Sequence, residues 1–146
     1  MKKFYIITIC GLVIDRILKI LVSSFVTEPI HVIKNFFYIT YTENKGAAFS
    51  ILEGHQILFI LTGLLALGLI YYLMKKSKGN SIGYALLFSG IIGNLIDRVV
   101  YGYVIDFIGF NLFGRSMPIF NFADMLIVFG AVIAVLGSDK NETSSE

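Results

Sequence analysis

Gly93-Asn94-Leu95-Ile96-Asp97-Arg98, followed by Val104-Ile105-Asp106-Phe107 and then Phe120-Asn121-Phe122-Ala123-Asp124, sets four ionisable residues inside sequence that is otherwise apolar. A carboxylate at bilayer depth costs a few kcal/mol, so such residues face a protein interior or a wet cavity and are candidates for function. Asn94, Asp97 and Arg98 are spaced i, i+3 and i+4 and share one helix face. For Asp97 this spacing suggests architecture, with Arg98 held by Asp97 near the helix end. Asn94 and Arg98 stand as groups that either orient a carboxylate or bind a substrate carbonyl. Asn121 and Asp124, just after Pro118, have the spacing of a helix cap with an acid in the first turn. Capping alone would leave the apolar-flanked Asp106 without a reason.

Outward from this stretch, the composition is that of a membrane protein. Of the 146 residues 56% are hydrophobic and only 15% charged, and the mean hydropathy is +0.79. About 20 apolar residues suffice to cross a hydrocarbon core of roughly 30 Å. Apolar runs over 4–26, 56–74, 82–100 and 119–137 therefore predict an all-α membrane fold with four transmembrane helices in one domain, 1–146. The polar tail 138–146 is expected to be disordered. Between the first two spans, Phe36-Phe37-Tyr38-Ile39-Thr40-Tyr41-Thr42 is rich in aromatic and β-branched residues, and Glu43-Asn44-Lys45-Gly46 supplies turn types. A small extracytoplasmic β-sheet between helices 1 and 2 is expected there.

The first span carries Asp15, Arg16 and Lys19. Its 14 Leu, Ile, Val and Phe residues contribute about −4 to −8 kcal/mol to insertion, against roughly 8 to 10 for three central charges. It must be sheltered by its neighbours, with Asp15 and Lys19 paired at i, i+4; Arg16 has no firm partner in the sequence. A start of Met-Lys-Lys before an apolar run resembles a secretory signal, but apolar sequence resumes at Ile17 and a retained helix is the better reading.

Lys2, Lys3, Lys75, Lys76, Lys78 and Lys140 fall on one side and Lys34, Lys45, Arg98 and Arg115 on the other. The short-loop lysines then place both termini in the cytoplasm, with 27–55 and 101–118 outside. At 1.5 Å per residue Asp15 lies about 16 Å above Phe4, and Asp97 about 22 Å above Ile82. All the intramembrane polar groups converge on the outer half, where one polar site is expected.

Several classes of function are set aside. A net charge of +2 with scattered basic residues gives no nucleic-acid footprint. Cys10 is the only cysteine, so no intramolecular disulfide forms and a Cys/His zinc site lacks ligands. There is no His-Glu-x-x-His, and His31 and His55 are expected at the outer surface. A Ser/Lys arrangement of Ser50 or Ser89 with Lys19 lacks a distinctive context. Were Asp106 and Asp124 to approach one another, one would keep its proton and the pair would titrate as a unit, fit for general acid–base hydrolysis of a peptide without metal, cofactor or nucleophilic side chain. The alternatives are a small proton-coupled transporter or channel, although no internal repeat is present, and a noncatalytic assembly factor whose polar residues join helices.

With these residues the sequence resembles the lipoprotein signal peptidase (signal peptidase II) family. The resemblance rests on Asp15-Arg16-Ile17-Leu18-Lys19, Asn44-Lys45-Gly46-Ala47-Ala48-Phe49 and the three segments quoted above, in that order along nearly the whole chain. It implies an aspartic endopeptidase of the bacterial inner membrane that removes the signal peptide from prolipoproteins before a diacylglyceryl-modified cysteine. By the same resemblance the catalytic pair is Asp106 and Asp124. Asp15, Lys19, Asn44, Gly46, Asn94, Arg98, Asn121 and Ala123 match positions that bind substrate or support the site, and a small sheet lies on the outer membrane surface. Partners are then prolipoprotein signal peptides and membrane lipid, and a monomer is expected. The pattern departs from the family at Arg16, Leu18, Glu43 and Met125, which leaves the pair untouched.

Overall fold

The first helix, α1 (Lys2–Phe25), is polar inside and apolar outside. Its buried residues are Phe4, Gly11, Asp15, Lys19 and Val22, a stripe at helical spacing, while Ile6, Ile9, Val13, Ile17 and Ile20 are exposed. In water such a helix would be inside out. The computed structural model describes residues 1–46, 54–76 and 81–142, with side chains up to Gly137. Throughout these residues the largest fully buried side chains are Lys19, Asn121, Asp15, Asp97 and Ser89, and most large apolar side chains point outward. That distribution suits a hydrocarbon surround.

After α1 come strands β1 (Ile30–Ile33) and β2 (Phe37–Asn44), helices α2 (Gln56–Lys76) and α3 (Ser81–Tyr101), strands β3 (Val104–Leu112) and β4 (Arg115–Ser116), and helix α4 (Phe122–Glu142). Helix α3 is the hub, packed on α4, α1 and α2. Two glycines let it approach closely. A Cβ at Gly90 would collide with the Ala123 carbonyl oxygen of α4, and one at Gly93 would stand 2.7 Å from Asp15 Oδ2 of α1. Helix α2 buries no residue completely and lies chiefly along α3. By length and composition, α2 and α3 are each apolar enough to cross a membrane.

The strands form one antiparallel sheet in the order β1-β2-β3-β4. Thr42 pairs with Asp106 and Asn44 with Val104, with a bulge between Ile39 and Thr42. Two further contacts fix where α4 starts: Ile108 N–H donates to Phe120 O at 2.7 Å, and Phe120 N–H donates to Ile108 O at 3.1 Å. Asp106, two residues before that bridge, is thereby carried to the first turn of α4.

Four expectations need correction. The sheet does not lie between helices 1 and 2 alone, because half of its strands come from 101–118, which the sequence suggested was an outer loop. Strand β2 runs on through Glu43 and Asn44, so those residues pair rather than turn; in the turn between β1 and β2 it is Asn35 that takes positive φ, at 59°. Helix α4 starts at Phe122 rather than Ile119, since the backbone of Phe120 is committed to β3. It then continues to Glu142 through the start of the tail expected to be disordered, a polar composition being no obstacle to local helical hydrogen bonds. Ala47, Ala48, Phe49, Ser50 and Lys78 lie outside the described residues.

Candidate active site

The site is assembled from the N-terminus of α4. Asn121 caps the helix: its Oδ1 accepts from Asp124 N–H at 2.9 Å, and Asp124 Oδ2 accepts from Asn121 N–H at 3.2 Å. Ala123 is fully buried, and its N–H donates to Asp15 Oδ1 of α1 at 3.1 Å. Capping and the tie to α1 thus coincide in one turn.

Asp106 arrives from β3. Its Oδ1 accepts from Asn121 Nδ2 at 2.6 Å and its Oδ2 from Asn44 Nδ2 at 2.8 Å. Asn44 is held in turn by Gly46, whose N–H donates to Asn44 Oδ1 at 3.0 Å. On the other side Asn94 of α3 donates from Nδ2 to Asp124 Oδ1 at 2.8 Å and accepts at Oδ1 from Asn121 Nδ2 at 3.2 Å. Two asparagine amides therefore bridge Asp106 and Asp124. A cavity of about 560 Å³ opens over them, lined among others by Asn44, Gly46, Asn94, Arg98, Asp106 and Asp124 and walled by 116–120.

Behind Asn94 lie four charges, Asp15, Lys19 and Asp97 buried and Arg16 partly exposed. Lys19 Nζ stands 3.1 Å from Asp15 Oδ2, 2.7 Å from Asp97 Oδ2 and 3.0 Å from Asn94 Oδ1. Arg16 is 3.0 Å from Asp15 Oδ2 and 2.7 Å from Asp97 Oδ1, and it donates to Gly93 O at 3.3 Å. Two acids and two bases cancel, which is how α1 keeps charges in an apolar setting. Asp97 also accepts from Ile105 N–H at 3.2 Å, tying α3 to β3.

Asp97 is therefore architectural, but it does not hold Arg98. The Arg98 guanidinium lies over the Phe59 ring, 5.1 Å from its centroid, and donates weakly to Asn94 O at 3.5 Å. Among the described residues it makes no ion pair with a carboxylate, so its donors remain for the cavity it lines. Helical spacing suggested Asp97 as its partner and gave no sign of Phe59, which sits on another helix. The same limit hid Asp97 of α3 as a partner of Arg16.

Of the other side chains considered from the sequence, His31 lies against Tyr38 on the exposed strand β1 and His55 is exposed before α2. Ser89 is buried against Gly11, and none of the three partners of Lys19 is a serine. Among the described residues no group of three or more His, Cys, Asp or Glu gathers to hold a metal ion.

Burial pushes the Asp106 carboxyl up from 3.8 to about 6, and the charge of Asp124 adds to the rise; the amides of Asn44 and Asn121 and the charge of Lys19 oppose it. Because the folded-state value is raised, the group favours the fold below about pH 4, and that contribution is lost as pH rises through about 6. The displacement corresponds to about 3 kcal/mol at neutral pH. Asp106→Asn removes this penalty but turns one amide N–H toward a donor, for about 1 kcal/mol. The variant is thus expected to unfold at higher temperature than wild type at pH 7.5 and at slightly lower temperature at pH 4. Thermal unfolding in detergent at both values checks this, and a difference independent of pH would contradict it.

The comparisons with known proteins bear on this arrangement. A model of the family described as Signal peptidase (SPase) II matches residues 7–138. The chain belongs to the signal peptidase II family. The lipoprotein signal peptidase of Halothermothrix orenii is 39% identical over 137 residues, covering 90% of this chain and 92% of that protein. That of Clostridium novyi is 40% identical over 138 residues, covering 90% and 93%, and that of Staphylococcus haemolyticus is 35% identical, covering 99% of both. A solved bacterial membrane enzyme structure, determined in meso at 2.3 Å, superposes with a TM-score of 0.86 at 30% identity over 100% of this chain and 93% of that one. A second, at 1.9 Å, gives 0.82 at 32% identity over 93% and 92%. As a signal peptidase II the chain is a peptidase with the fold of a bacterial membrane enzyme, and the resemblance carried by its five motifs is a family relationship.

Proposed function

We propose that this signal peptidase II is an aspartic endopeptidase of the bacterial inner membrane that cuts the signal peptide from diacylglyceryl-modified prolipoproteins just before the lipidated cysteine. The observation that carries the reading is the bridging of Asp106 and Asp124 by two asparagine amides on one cavity. The reactive form of the pair holds one proton, placed on Asp106, whose value is raised by burial and by the charge of Asp124. Asp124 takes a proton from a water as the water oxygen attacks the scissile carbonyl carbon, while Asp106 gives its proton to the carbonyl oxygen. On collapse of the tetrahedral intermediate the C–N bond breaks, Asp124 passes its proton to the leaving amine, and Asp106 recovers its own from the hydroxyl. Arg98 offers its free N–H groups to a substrate carbonyl in the cavity.

In this reading all four helices cross the bilayer as a single peptidase domain, both termini are cytoplasmic and the cavity opens near the outer face. The neutral quartet of Asp15, Arg16, Lys19 and Asp97 supports crossing by α1 despite its charges. A second cavity of about 320 Å³ between α2, α3 and Ile127 shares Asn94 and Arg98 with the first, giving an apolar signal helix a place to lie. A monomer suffices, since every residue invoked comes from one chain.

The test is cleavage by the purified protein in lipid, followed by gel shift. A diacylglyceryl-modified precursor peptide is expected to be cut, and the same peptide without the lipid left intact. No cleavage of the modified peptide by wild type would sink the reading and favour a transporter or an assembly role.

A further inference from the structure

The amide of Asn94 has its direction dictated from outside the catalytic pair. Lys19 is fully buried, and its ammonium carries three N–H donors and no acceptor. All three are used, on Asp15, Asp97 and Asn94. An atom 3.0 Å from that ammonium must be an acceptor, so the Asn94 carbonyl faces Lys19 and the Asn94 amide nitrogen faces Asp124 Oδ1. Asn121, its carbonyl fixed by the Asp124 backbone N–H, supports the same direction. Asn121 Nδ2 donates to the same Asn94 oxygen and to Asp106 Oδ1, which leaves the Asn121 carbonyl for Asp124 N–H. Every polar group that meets Asp124 Oδ1 or Oδ2 in this network is a donor. Were Asn94 free to turn over, it would set a carbonyl against Asp124, an arrangement satisfied only when that carboxyl holds a proton.

We propose that Lys19 is a positioning residue which, through Asn94, keeps an N–H against Asp124 and so keeps that carboxylate able to accept the proton of the attacking water. Lys19 touches neither substrate nor water. The inference rests on the proposed roles of Asp106 and Asp124 and adds a group that holds Asp124 to its part. The charged groups surrounding the pair are Asp15, Arg16 and Lys19 from α1, Asp97 and Arg98 from α3, and Glu43 from β2, which lines the cavity. Among them only Lys19 makes a hydrogen bond to a bridging asparagine side chain.

The experiment uses Lys19→Met, of similar length and without a donor. It is expected to lower kcat by about 10- to 100-fold with KM nearly unchanged, as misplacement of a catalytic group does. It is also expected to move the acid limb of the kcat/KM profile to higher pH by about one unit, as loss of a nearby opposite charge does. Because the single variant leaves a surplus acid in the quartet, Lys19→Met/Asp97→Asn serves as the charge-balanced partner and should show the same shift. Isotope-edited infrared spectra across pH, with the Asp124 band assigned by Asp124→Asn, read protonation without any cleavage. Asp124 should gain its proton at higher pH in both Lys19 variants than in wild type. An unmoved infrared titration, or full recovery of rate and profile in the charge-balanced variant, would reduce Lys19 to charge balance and overturn the proposal. The roles of the pair are judged separately, by wild-type cleavage and its loss in Asp124→Asn; should those fail, both readings fall.

Discussion

Asp124→Asn and Asp106→Asn are each expected to lower kcat/KM for the diacylglyceryl-modified precursor by at least about 10³-fold, with the fold retained. Each change keeps the shape of the side chain and removes one proton-transfer group, an effect that lies between about 10² and 10⁴ for a single acid or base. The upper part of that range applies because in the proposed reaction the two act on one water and one carbonyl, so losing either disables both transfers. Retention of the fold is an argued expectation: Asp106→Asn sheds the burial penalty of its carboxylate at neutral pH, and Asp124→Asn keeps an oxygen for one of the donors of Asn94 and Asn121. Single-turnover cleavage followed by gel shift, beside thermal unfolding of the same samples, makes the measurement. Cleavage at wild-type rate by either variant would remove that residue from the pair.

Local spacing made much of this site legible. Asp15 and Lys19 lie on one face because i and i+4 must, Asn121 and Asp124 form a cap because i and i+3 can, and a carboxylate between Ile105 and Phe107 needs a partner wherever it goes. What stayed hidden depends on contacts between distant segments. Arg16 and Arg98 each follow an aspartate in sequence, yet Arg16 joins two acids across α1 and α3 while Arg98 turns to Phe59 of α2. Strand β3 was equally hidden, because Val104, Ile105, Asp106 and Phe107 are all buried and no alternation of polar and apolar residues betrays a strand. Its partner β2 lies about 60 residues away in sequence, and that pairing is set by tertiary packing.

The quartet carries the other large effect. Asp15→Ala is expected to destabilise the protein by about 3–5 kcal/mol, the range for breaking a buried ion pair from one side, and to lower Tm by about 10–20 °C. Three losses coincide at this fully buried residue: Lys19 and Arg16 are left with one acid between them, Ala123 N–H loses its acceptor, and α1 loses its tether to the first turn of α4. Asp15→Asn separates these, since it keeps an oxygen for Ala123 N–H while removing the charge, and should fall between Asp15→Ala and wild type. The sharper comparison is Asp15→Leu/Lys19→Leu, which removes one charge of each sign and leaves Arg16 paired with Asp97. Though it changes two buried residues, it should unfold at a higher temperature than Asp15→Ala, because an uncompensated charge is dearer than a missing pair. If the double variant is the less stable, or if Asp15→Ala unfolds within about 2 °C of wild type, the four charges are not what holds α1 in place. The apolar contacts of Phe4 and Val22 would then have to overcome the roughly 8 to 10 kcal/mol that three central charges set against insertion. Two such side chains, at about 1.5–3 kcal/mol each when fully buried, would meet that cost only together with the insertion energy of the span's other apolar residues.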